Sequence, residues 1–88
     1  MKKLKIKGEG FKTFEIEAKE PNLDEREELN AFLYKMFNEK NGMFGPSINI
    51  IRLTTNLTDE DINQYSNDQI FQIAIEISNF VNKKKLKK

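Results

Sequence analysis

The stretch from Ser66 to Lys85, SNDQIFQIAIEISNFVNKKK, constrains the fold more than any other part of the chain. Ser66 with Gln69 is the sequence pattern of a capping box. The serine hydroxyl accepts from the backbone N–H of residue 69, and the glutamine side chain reaches back to the amide of residue 66. Asp68 adds negative charge to the first turn, where the helix dipole favours it. Ile70, Ile73, Ala74, Ile77 and Val81 then recur at i, i+3, i+4, i+7 and i+11, one face of a helix. Phe80 flanks that face on one side, Phe71 and Ile75 on the other, so the apolar arc spans roughly 220°, against roughly 100° for a common surface helix. An arc so broad needs cover from two sides. Either this is the central helix of a self-contained domain, or one flank meets a second chain. The flank at Phe71 and Ile75 calls for the amino-terminal hairpin described below, or another chain, to cover it.

A chain of 88 residues makes one domain with a small core and a thin stability margin. Seven phenylalanines are available to fill that core. Cysteine and histidine are both absent, which excludes a disulfide framework, a thiol nucleophile, a cysteine-based zinc site and the commonest general base. No apolar run approaches the roughly 18 residues of a membrane span. The start, MKKLKIKGEG, lacks the apolar centre of a secretion signal. These features lead to the expectation of a soluble, cytoplasmic protein.

The net charge of +1 conceals segregation. Of the 15 basic residues, nine lie at the two ends, as Lys2, Lys3, Lys5 and Lys7 and as Lys83, Lys84, Lys85, Lys87 and Lys88; the other six face all 14 acids, so residues 8–82 carry −8. The expected organisation is one domain over residues 1–82 with a solvated basic tail at 83–88.

The amino-terminal end alternates with period 2 in Leu4–Lys7 and again in Thr13–Glu17, around Gly8-Glu9-Gly10. Pairing position n with 20 − n sets Ile6 opposite Phe14 and Leu4 opposite Ile16, and also Lys5 opposite Glu15 and Lys3 opposite Glu17. One face is then apolar and the other carries opposite charges, a register that a one-residue slip would ruin. A two-stranded hairpin is marginal alone and must pack on helices.

After Pro21, Asn22 or Asp24 can cap a second helix. Leu29, Phe32, Leu33, Met36 and Phe37 form its apolar stripe, and Asn41-Gly42 ends it. Met43-Phe44-Gly45-Pro46 reads as a stiff connector, with Phe44 either tucked inward or exposed as a contact. Ser47–Thr55 is ambiguous. Its β-branched content favours a strand, whereas Ile50, Leu53, Thr54 and Leu57 fit a helical face with Ser47 as its cap. Helix is preferred because no partner strand lies nearby in sequence. Thr58 with Asp61 is a capping-box start for a short helix reaching about Tyr65. The expected fold is mainly α with a small β part: an N-terminal two-stranded hairpin packed on about four helices.

No catalytic pattern survives inspection. Asp59, Asp61 and Asn63 match the first positions of a calcium loop, but Gln64 and Ile70 stand where glycine and glutamate are needed. Gly10-Phe11-Lys12-Thr13 breaks the phosphate-loop spacing, and Thr13 replaces the third glycine of a dinucleotide fingerprint. Asn56-Leu57-Thr58 is a chance glycosylation sequon in an Asn-rich chain. The serines have no histidine to activate them, and the acids sit at helix starts, where capping explains them. No enzyme activity, metal, cofactor or small-molecule substrate is expected. A protein partner or a homo-oligomer is, with Phe71, Ile75 and Phe44 as its contacts. The alternative is a small nucleic-acid-binding regulator using the lysine-rich termini, Lys83, Lys84, Lys85, Lys87 and Lys88 above all, though no aromatic is interleaved among those lysines for base stacking.

The layout resembles the small tail assembly chaperones of bacteriophages and related minor virion proteins. The likeness runs through the lysine-rich first strands and the acidic helix start DEREELN, with Arg26 and Asn30. It continues from about Ile50 through LTTNLTDEDINQYSNDQIFQIAIEISNFVNKKK, a helix, an LT-acid run, a short turn, a capped final helix and a lysine-rich end. It implies a non-enzymatic protein of the host cytoplasm that binds an unassembled tail component, typically a long helical tape-measure protein. It carries no catalytic residues over.

Overall fold

The structure, a computed structural model, describes residues 1–38 and 42–86, and side chains through Asn82. Its elements in chain order are strands β1 (Lys2–Ile6) and β2 (Phe14–Ala18), then helices α1 (Leu23–Asn38), α2 (Phe44–Thr54), α3 (Asp59–Asn63) and α4 (Asn67–Leu86). The domain is mainly helical, with the hairpin packed against the helices through β1 and α4.

The hairpin has the register expected from charge and apolar pairing: Leu4 faces Ile16, Ile6 faces Phe14, Lys3 faces Glu17 and Lys5 faces Glu15. Leu4, Ile6, Ile16 and Ala18 are buried, while the charged pairs stay exposed. Gly10 turns the loop at φ +88°, a backbone conformation that costs an L side chain about 1–2 kcal/mol. At the end of β2, Ala18 bridges Thr55 and the Lys19 amide donates to the Thr54 carbonyl at 2.8 Å. The segment after α2 therefore borders the sheet at that point, which limits the exposed strand edge.

Three helices start on reciprocal side-chain caps. Asn22 and Glu25 exchange bonds with each other's amides at 3.0 and 2.9 Å to open α1. Thr58 and Asp61 do the same for α3 at 3.0 and 3.1 Å, and Ser66 and Gln69 for α4 at 2.7 and 3.2 Å. Each box satisfies donors that a helix start otherwise leaves unpaired.

Helix α2 departs from expectation in where it begins. Phe44, Gly45 and Pro46 form its first turn, with Met43 at the cap position, so they are not a connector. Pro46 is harmless there because a first-turn N–H has no intrahelical acceptor. Ser47 is consequently no cap. It is fully buried, and its hydroxyl donates to the Met36 sulfur of α1 at 3.2 Å. A small side chain at this point lets the two helices approach. Ile50, Ile51 and Thr54 complete the buried face of α2, with the Thr54 hydroxyl returned to the Ile50 carbonyl at 2.7 Å. Leu53 and Leu57 are only partly buried, and Leu57 lies beyond the helix.

Helix α2 packs against both α1 and α4, and α4 packs against both α2 and β1. The wide apolar face of α4 thus has cover on two sides within one chain. Ile70, Ile73, Ala74, Ile77 and Val81 are all buried, as expected. On α1, Leu29, Leu33 and Met36 are buried and Phe32 partly so, but Phe37 is 64% exposed and leaves the expected stripe. The helical period carries it round toward solvent, to the side shared with Leu23 and Tyr34, eleven positions apart. The expected stop at Asn41 lies outside the described residues.

Candidate functional site

The residues expected to meet a partner divide in the structure. Phe44, in the first turn of α2, is 42% exposed and sets its ring edge-on to Phe71 of α4, centroids 6.2 Å apart. Ile75 is partly buried against the core. At Phe71 this flank is met by α2 through Phe44, where the sequence offered either the hairpin or another chain. The opposite flank is the one near the hairpin: Phe80 lines a shallow pocket with Met1, Lys2 and Glu20.

Phe44 also stands at the mouth of an open groove between α2, α3 and the start of α4, with a volume of about 440 Å³. Its apolar lining comes from Phe44, Ile48, Ile62, Tyr65 and Ile70. Asp59 at the start of α3 is bonded to Arg52 near the end of α2, which ties α3 to α2 before α4 begins. Tyr65, at the α3–α4 turn, is held by stacking on Phe14 of the hairpin, centroids 5.1 Å apart and planes 17° from parallel.

The groove rim is charged. Arg52 grips Asp59 in a two-pronged contact, Nε to Oδ1 at 2.8 Å and Nη2 to Oδ2 at 2.9 Å. That fork raises the guanidinium pKa, first through the hydrogen bond and then through the charge. With Arg52 and Asp59 engaged on each other, Glu60 supplies the remaining charge of the lining. Asp61 follows on α3 and Asp68 lies in the first turn of α4, so this end of the molecule is acidic. The groove falls in the roughly 300–1,000 Å³ range of binding pockets, and apolar walls with a charged rim suit inserted side chains.

Ile48, Ile62 and Tyr65 were not singled out from sequence. An isoleucine on a helix, or a tyrosine in the turn after one, carries no mark that separates a core residue from a groove wall. The side chains of Lys83, Lys84, Lys85, Lys87 and Lys88 lie outside the described residues, though the backbone of α4 runs on to Leu86. Among the described residues no group of three or more acidic side chains is placed to hold a metal ion, and no helix is long and apolar enough to cross a membrane. Compared with family models, curated proteins and solved structures, the chain matches none.

Proposed function

We propose that this chain is a non-enzymatic interaction protein that holds a helical segment of an unassembled partner, in the manner its resemblance to phage tail assembly chaperones implies. The observation that carries this reading is the groove beside Phe44: Phe44, Ile48 and Tyr65 stand partly open to solvent over the buried Ile62 and Ile70, rimmed by charge and backed by the half-open Phe44–Phe71 pair. An amphipathic helix offers the complementary shape, with apolar anchors at i, i+3 or i+4 and i+7 for such a groove.

The test is co-expression with the products of neighbouring genes, a long heptad-patterned tail protein foremost. A complex that co-purifies and is lost on Phe44→Glu or Ile48→Glu supports the reading. No complex with any neighbouring product, or one indifferent to both substitutions in chains that remain folded by circular dichroism, overturns it.

A further inference from the structure

We propose that the open edge of β2, at Glu15–Glu17, takes an extended segment of a partner protein as a third strand, one in which lysine or arginine alternates with apolar residues. The site is separate from the groove beside Phe44 and adds a second mode of contact.

Three observations lead there. The first is an edge where a third strand starts and stops. Ala18 bridges Thr55 and the Lys19 amide donates to the Thr54 carbonyl at 2.8 Å, after which the chain leaves for α3 at Asp59. Backbone groups of an antiparallel strand alternate between its two edges. Lys19 donates away from β1, so Glu15 and Glu17 turn their amides the same way. Among the described residues neither amide meets a backbone acceptor on that side. The second is space. A cleft of about 390 Å³ opens beside this edge, lined by Glu15, Ile16 and Glu17 of β2 and by Asn56, Leu57 and Tyr65 of the segment that leaves it. Leu57 and Tyr65 are partly exposed, so they offer an apolar wall to alternate side chains of a strand laid there.

The third is charge. Glu15 and Glu17 are exposed, and neither carboxylate holds an ion pair or hydrogen bond among the described residues. On its closed edge β2 already accepts a segment of this kind, Lys3-Leu4-Lys5, whose lysines stand opposite these glutamates. A strand on the open edge meets the same two carboxylates at about 5 Å, with Lys3 and Lys5 a full strand further off. A second copy of the chain does not fit. Two β2 edges laid antiparallel set glutamate against glutamate. A copy that continued the sheet with its own β1 would sit about 10 Å away, two strand spacings, yet the molecule is 23 Å across in its shortest dimension.

The test titrates the full isotope-labelled chain with a capped peptide of about nine residues alternating lysine and valine, long enough for one strand. The expected result is saturable binding, with amide shifts centred on Glu15–Glu17 and slowed hydrogen exchange at the Glu15 and Glu17 amides. Glu15→Gln with Glu17→Gln weakens it about threefold or more, and Phe44→Glu leaves it unchanged. A peptide of the same composition with its lysines in one block does not bind, nor does the alternating peptide N-methylated along its backbone. Circular dichroism confirms that each variant folds. Absence of binding overturns the proposal, as does equal binding of the block or methylated peptide. Shifts centred on Phe44 and Ile48, loss of binding on Phe44→Glu, or indifference to the glutamate substitutions also overturn it. So does a dimer of the chain alone that the peptide dissociates, because a second copy then holds the edge. A chain that takes up a helical partner through Phe44 but no strand peptide overturns this inference and leaves the docking function standing.

Discussion

The ring of Phe44 stands edge-on to the ring of Phe71, centroids 6.2 Å apart and planes at 86°. This one contact joins the first turn of α2 to α4, partly closing the flank of α4 that the sequence leaves without a neighbour. It also fixes one wall of the groove, since Phe44 belongs to both.

Removing either ring loosens the junction. Phe44→Ala and Phe71→Ala are expected to show a coupling of about 0.5–1.5 kcal/mol in a double-mutant cycle. Urea unfolding of the four proteins measures it. Strictly additive losses would mean that the rings do not support each other in solution.

Ser47 is buried against Met36, so its size matters more than its hydroxyl. Ser47→Ala is expected to cost under about 1 kcal/mol, since a weak hydrogen bond to sulfur is lost without a void forming. Ser47→Leu is expected to cost about 1–3 kcal/mol or more, because the added carbons must part α1 from α2. Equal and small effects of the two substitutions in chemical denaturation would return Ser47 to the role of an exposed cap.

Ile77 is fully buried and Ile75 only partly. Ile77→Ala should lose about 2–5 kcal/mol, a large share of the roughly 4–13 kcal/mol available to a chain of this length. Ile75→Ala should lose about 1 kcal/mol. Thermal melts that rank the two in the opposite order would place the α4 core on the wrong flank.

Glu25 carries the acid-side dependence that can be assigned. The Asn22 backbone N–H, and after it the Lys19 ammonium at 2.9 Å, hold the Glu25 carboxyl below its ordinary value. A carboxylate with a lowered folded pKa stabilises the fold above its unfolded value of 4.5, and that contribution is lost as pH falls through the lower folded value. Glu25→Gln should therefore lower stability at neutral pH and flatten the decline below that value. Denaturant midpoints across the acid range check it, and parallel curves for the two proteins would remove Glu25 from the acid response.

Much of the local structure was legible because its causes are local. The Thr58–Asp61 and Ser66–Gln69 boxes need only residues three apart. The strand register follows from two alternating segments whose charges and apolar residues must both match. The site was less legible. Phe71 drew notice as an apolar residue on an overwide face and Phe44 as one in a short apolar connector, but nothing local joins them. Phe37 looked like core because it extends a stripe, and only the position of α2 shows that the stripe ends at Met36.

By itself the sequence determined the hairpin register, the helix starts at Thr58 and Ser66, the buried face of α4 and the segregation of charge. Each follows from spacing along the chain, through hydrogen bonds or periodicity that act over a few residues. Tertiary structure alone decided that Ser47 is a close-packing point and not a cap. It also decided that α2 meets both α1 and α4, and that Ile48, Ile62, Tyr65 and Ile70 become the walls of one groove. These depend on which surfaces of distant segments come together. Burial of apolar area drives that choice without direction or sequence range, so the same isoleucine can serve as core or as groove wall.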